Sequence, residues 1–229
     1  MPALFKQLRN KPALIGIVAI ILFIIYLNFN SLIFDLIFKV IFNYTLSPSV
    51  LFIISCITMW MFFGGLYLYT IKIENRQFLI WKEINYTFDF YIIWIVVIFV
   101  ATYVSDGLIN LPFKYPDWYS SRGSRGFLHL NLPLRFWGVL TAAVFEELIF
   151  RGYLISRLQL YFKNIHGPVL ISAAVFAMGH IGYGIVAYTL DILVSGLILG
   201  YHYQKYHNIK VLIILHFLLD YYVLIMVYK

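Results

Sequence analysis

The sequence predicts an all-α fold: a polytopic membrane helical bundle of about seven transmembrane helices, six to eight depending on how the runs divide, in a single domain over 1–229. Three observations carry this. Hydrophobic residues make up 62% of the chain and charged ones 12%, with mean hydropathy +0.86, more apolar surface than a soluble domain of 229 residues can enclose. The apolar residues gather into runs close to the ~20 residues that a bilayer crossing needs. No internal repeat, low-complexity tail or compositional break marks a second domain.

The elements follow in order. Run 12–29 comes after Lys6, Arg9 and Lys11 and superficially resembles a secretory leader, but Tyr26-Leu-Asn-Phe offers no small-residue cleavage pattern, so an uncleaved anchor is expected. In 31–46, Asp35 and Lys39 share a helical face, which makes the stretch an interfacial amphipathic helix or an eighth span. Runs 50–71 and 88–109 read as spans. The polar stretch 110–133, with Pro112, Pro116, the run Ser120 to Gly126 and His129, reads as a connecting loop. Runs 134–154, 168–180, 184–203 and 211–228 complete the set, and 134–228 forms the motif-bearing core.

Seventeen Lys and Arg against ten Asp and Glu give a net charge of +7. The excess lies between apolar runs, where it signals orientation, so no nucleic-acid partner is expected. With the N-terminus cytoplasmic and seven spans, Lys6, Arg9, Lys11, Lys72, Arg76, Lys82, Arg157, Lys163, Lys205 and Lys210 fall on the inner side. Trp60, Trp81, Trp94, Trp118 and Trp137 are rich enough, with the tyrosines, for interfacial belts. The single cysteine, Cys56, excludes an intramolecular disulfide and reads as a small buried side chain. Abundant Ile, Phe, Tyr, Asn and Lys suit an AT-rich bacterial genome, so the expected setting is a bacterial cell membrane.

Three polar clusters interrupt apolar segments: Glu146-Glu147-Leu-Ile-Phe-Arg151, Phe176-Ala-Met-Gly-His180 and His216-Phe-Leu-Leu-Asp220. Ionisable groups are costly in a bilayer and line functional cavities. On an α-helix Glu147 and Arg151 stack and neutralise each other, whereas Glu146 is turned by about 100° and has no local partner. A carboxylate without a counter-charge in an apolar bundle suits a general base working near neutral pH. His180 ends a short apolar helix with Phe176 one turn earlier, and Asp220 stands one turn from His216, where it can fix the imidazole tautomer. With about 1.5 Å rise per residue, all three clusters lie roughly 10–20 Å from one membrane face and can converge.

A carboxylate base with two imidazoles supplies water activation and oxyanion stabilisation for amide hydrolysis. Glu146, His180 and His216 would equally serve as three ligands of a divalent metal such as zinc with an open fourth position. Asp191 reads as structurally paired or water-contacting, His202 and His207 as solvent-facing, and His129 and His166 as loop residues.

The order Glu-Glu-x-x-x-Arg, Phe-x-x-x-His, His-x-x-x-Asp on successive helices resembles the CPBP family of intramembrane proteases, which includes CAAX prenyl endopeptidases and bacteriocin-processing or immunity proteins. The resemblance covers about residues 134–228. It implies a glutamate-type or metal-dependent membrane endopeptidase acting on a membrane-associated peptide or protein. Glu146 and His180 would activate water, His216 with Asp220 would support the oxyanion, and Glu147, Arg151 and Phe176 would support the site. Prenyl-protein members carry Asn where this chain has Asp220. Asn donates a hydrogen bond to an oxyanion and ionised Asp does not. Asp220 is therefore protonated, or orients His216, or belongs to a metal site, and the orienting role is preferred. The alternative function is a non-catalytic bacteriocin immunity or membrane binding protein. A transporter is the weakest reading, because no pair of broken-helix repeats is visible.

Overall fold

The computed structural model describes residues 2–79, 83–112, 130–181 and 186–222, and all regular structure among them is helical. Helices α1 (Pro2–Phe42), α2 (Pro48–Lys72) and α3 (Phe88–Asn110) come first. A continuous rod follows, made of α4 (Leu132–Glu146), a π-helical segment (Glu147–Leu154) and the short α5 (Ile155–Leu158). Helices α6 (His166–Met178), α7 (Val186–Tyr206) and α8 (Ile209–Tyr221) complete the bundle.

Local sequence sets the helix starts. The side chains of Ser47, Asn131 and Asn208 accept hydrogen bonds from Val50, Leu134 and Val211 amides, satisfying first-turn donors that no helical carbonyl can reach. Pro48 and Pro133 occupy first turns, where the missing N–H costs nothing.

Three segments are long and apolar enough to cross a membrane by themselves: Lys11–Asn30, Pro48–Lys72 and Phe88–Ile109. The other four expected runs fall on the rod, α6, α7 and α8. The rod carries three buried charged residues, Glu147, Arg151 and Arg157, and α6 has 13 residues. Segment 31–46 is neither a separate interfacial helix nor an eighth span. Its first part continues α1 without a break to Phe42, so α1 runs 41 residues, about 60 Å at 1.5 Å per residue. Asn30, buried against α2, donates to Ser55 Oγ at 2.9 Å and ties this long helix to its neighbour. The loop residues Arg122, Arg125 and His129 lie outside the described residues, as do Trp81 and Trp118.

Two hydrophobic cores hold the bundle. One surrounds the π segment, with Ile20, Phe145, Ile149, Phe150, Tyr153, Leu154 and Phe176; the other gathers Ile98, Leu199, Tyr203, Leu212 and Leu215 about α8. Leu148 touches both, so the acidic pair before it lies at their seam.

The remaining histidines correct two expectations. His202 is buried, because α3 covers that end of α7: its ring stands 5.0 Å from Trp94 and 4.7 Å from Tyr206. His166 opens α6 rather than lying in a loop, and its Nδ1 is 2.9 Å from the Tyr201 hydroxyl. Asp191 lies within electrostatic reach of Asp106 on α3.

Helices α6 and α7 approach closely at Gly196, where an added Cβ would stand 3.1 Å from Ala173 Cβ and 3.2 Å from its Cα. Small residues permit such contact between membrane helices. Gly196→Leu is expected to push α7 off α6 and cost about 1–3 kcal/mol, as overpacking does, read as a lowered thermal midpoint in detergent.

At the start of α8, Glu83 Oε2 accepts from the Ile209 amide at 2.8 Å, and Asn208 donates to the Ile84 carbonyl and the Tyr91 hydroxyl. Burial holds the Glu83 carboxyl above the usual carboxylate range, outweighing the Ile209 amide and the Lys210 charge that pull it down. The unfolded chain therefore ionises first as pH rises, and the native state loses stability between the ordinary and the raised values. Glu83→Gln is expected to raise the thermal midpoint relative to the parent at pH 8. The gap should close near pH 4, where both states of the parent hold the proton; melting curves at the two pH values check this.

Candidate active site

The rod changes winding where its chemistry begins. The Ile155 amide bonds the Phe150 carbonyl five residues back, the π pattern, and the segment so wound runs from Glu147 to Leu154. Its wider turn narrows the angle between neighbouring side chains below the α-helical value of about 100°. Glu146 and Glu147, expected on different faces, address the same partner, His216 on α8, at its two ring nitrogens.

Glu147 lies at the centre of the arrangement. Its Oε1 accepts from Arg151 Nη1 at 2.9 Å and stands 2.9 Å from His216 Nδ1. An oxygen already accepting from a guanidinium acts as an acceptor toward the imidazole too, so Nδ1 carries the proton. His216 Nε2 is thereby turned toward the other two carboxylates, 3.6 Å from Glu146 Oε2 and 3.5 Å from Asp220 Oδ2. The tautomer-fixing contact expected of Asp220 is made by Glu147, and Glu146 is not without a partner. Exposure separates the three acids. The Glu147 side chain is 0% exposed, Glu146 18% and Asp220 33%, so the last two open toward the surface of the bundle and Glu147 is sealed.

His180 stands just beyond α6, its Nδ1 2.9 Å from the Phe176 carbonyl. A carbonyl only accepts, so Nδ1 donates and, in the neutral ring, Nε2 bears the lone pair. The imidazole lies within electrostatic reach of Asp220, His216 and Arg151. Between these groups sits the buried ring of Phe176, 4.9 Å from the His180 ring, 6.2 Å from that of His216 and 4.6 Å from Arg151 Cζ, which lies over its face. The aromatic face compensates part of the cation's lost hydration. Round the Phe176 ring thus stand Arg151 from the rod, His180 from the end of α6 and His216 from α8, and His216 in turn meets Glu146, Glu147 and Asp220.

Polar satisfaction distinguishes this cluster from its neighbour. Arg151 Nη2 and Glu147 Oε2 are buried without hydrogen-bond partners. Six residues further along the rod, Arg157 spends every donor: Nε and Nη2 on Glu74 Oε2 at 2.8 and 2.7 Å, and the rest on the Phe78 and Gln77 carbonyls and Ser156 Oγ. Glu74 and Ser172, whose hydroxyl donates to the Phe150 carbonyl at 2.9 Å, escape a reading of the sequence. Glu74 follows an apolar helix like any helix-end acid, and its partner is 83 residues away.

Among the described residues no group of three or more His, Cys, Asp or Glu side chains is arranged to hold a metal ion. His216 Nδ1 is committed to Glu147, and Nε2 already faces two carboxylates.

Two apolar grooves flank Trp137. One, of about 350 Å³, is lined by Ile53, Cys56, Ile57, Trp60, Met61 and Trp137 between α2 and α4. The other, of about 340 Å³, is lined by Leu132, Pro133, Phe136, Trp137 and Tyr221, the last adjoining Asp220.

Comparison with known proteins is consistent with this geometry. Neither the curated proteins nor the solved structures gave a match. Residues 128–222, which take in all three polar clusters, match the family model described as type II CAAX prenyl endopeptidase Rce1-like, in agreement with the family that the three clusters resemble.

Proposed function

We propose that the protein is an intramembrane endopeptidase that hydrolyses a peptide bond in a membrane-associated peptide or protein. The observation that carries this is the placement of Glu146 and Asp220 on one nitrogen of an imidazole whose other nitrogen is fixed by a sealed acid. Glu146, with partial exposure, is the base: it takes a proton from the attacking water, with the Nε2 lone pair of His180 as its companion acceptor, and passes that proton to the amine nitrogen that departs as the C–N bond breaks. His216, when doubly protonated, donates from Nε2 to the oxyanion while Nδ1 keeps its bond to Glu147. Asp220, at the more exposed rim, supports that end of the site. Glu147, Arg151 and Phe176 hold the imidazoles in place.

The groove ending at Tyr221 gives an apolar substrate segment a seat beside Asp220. The same reading places the chain in a bacterial cell membrane with about seven crossings and its N-terminus cytoplasmic, the end that gathers Lys11, Lys72, Lys163, Lys205 and Lys210. The substrate is a peptide precursor or leader in preference to a prenylated protein.

Glu146→Gln keeps the shape of the side chain and removes its basicity. It is expected to reduce cleavage of a membrane-peptide library by about 10²–10⁴-fold, the usual contribution of a general base, with little change in thermal midpoint. Undiminished cleavage by this variant would overturn the mechanism. A parent that cleaves nothing but protects cells against a membrane-active peptide, with protection unchanged in Glu146→Gln, would make it an immunity protein instead.

A further inference from the structure

A π segment is rarer than an α-helix and persists where its surroundings hold it. Here one neighbour holds it from the side: the buried Ser172 hydroxyl, on α6, donates to the Phe150 carbonyl in mid-segment. A larger assembly holds its far end. Tyr153, the seventh residue of the segment, donates its hydroxyl to Glu74 Oε1, while Arg157 grips Oε2 of the same carboxylate and lies 4.5 Å over the Tyr153 ring. Glu74, Tyr153 and Arg157 are all buried, and α1 closes over them at Gly16, where an added Cβ would collide with the Tyr153 hydroxyl. An ion pair enclosed in this way contributes little net stability over an apolar substitute, because desolvation offsets the attraction. What it supplies is geometry: two oxygens of one carboxylate fix the rotation of the rod at Tyr153 and Arg157, a turn or so from Arg151 and Glu147.

We infer that Glu74 is a positioning residue for the candidate active site, its latch on Tyr153 and Arg157 setting the π winding that brings Glu146 and Glu147 together onto His216. The inference rests on reading that cluster as the catalytic site. It assigns a site role to a residue just beyond the end of α2, outside the family match and remote from the chemistry.

The test uses the full chain in detergent with ¹⁵N-labelled histidine, the His216 ring signals being identified by their loss in His216→Asn. Glu74→Gln and, as an isosteric change less damaging to folding, Tyr153→Phe are compared with Asn30→Ala, which cuts the buried α1–α2 hydrogen bond elsewhere. Both latch variants are expected to move the His216 Nδ1 signal toward that of an exposed histidine. They should also lower kcat about tenfold or more with KM little changed, as misplacement of catalytic groups does. Asn30→Ala should lower the thermal midpoint without moving the signal. If Glu74→Gln does not fold, Tyr153→Phe decides alone. Unmoved His216 signals in a folded latch variant would overturn the inference. A parent with no proteolysis would overturn the enzyme reading, while the ring signals would still report on the latch.

Discussion

A single carboxylate oxygen organises the centre of this molecule. Glu147 Oε1 accepts from Arg151 on its own rod and from His216 on α8, so one atom fixes both the rotation of the rod and the tautomer of the imidazole facing it. In a low-dielectric interior neither the acid nor the guanidinium is stable alone, and the pair exists because each is within 3 Å of the other. Because the acid is sealed and its neighbour Glu146 is not, two adjacent, chemically identical side chains stand in different surroundings.

The contrast between the two buried arginines of the rod sharpens that division. Arg157 is saturated, all its donors directed at fixed groups, as a structural cation should be. Arg151 and Glu147 turn one atom each, Nη1 and Oε1, toward one another, and the same oxygen meets His216. One rod thus carries both networks, with the π winding between them.

The helical fold and the local pairs of the candidate site were legible in the sequence because both depend on local spacing. Hydropathy alone marks α1, α2 and α3, and the i,i+4 pairs Glu147–Arg151 and His216–Asp220 survive in the structure. The illegible parts were non-local. The change of helical winding that begins at Glu147 is not announced by the residue types, nor is the partner that Glu146 and Glu147 share. The burial of His202 depends on α3 packing over it, although Lys205 nearby suggested solvent. The extension of α1 through 31–42 was obscured because Asp35 and Lys39 suit an amphipathic surface helix as well as a continuing rod. Glu74 could not be paired with Tyr153 and Arg157 at separations of 79 and 83 residues.

The enclosure of Arg157 also bears on biogenesis. During synthesis the arginine leaves the ribosome as an ordinary cation at the edge of an apolar run and can help to set which way that run inserts. Once Glu74 has closed on it, the charge is cancelled and hidden from lipid headgroups. A cation open to the insertion machinery in the nascent chain is thus spent in fastening the finished bundle, so a count of Lys and Arg describes the chain at insertion better than the protein at rest.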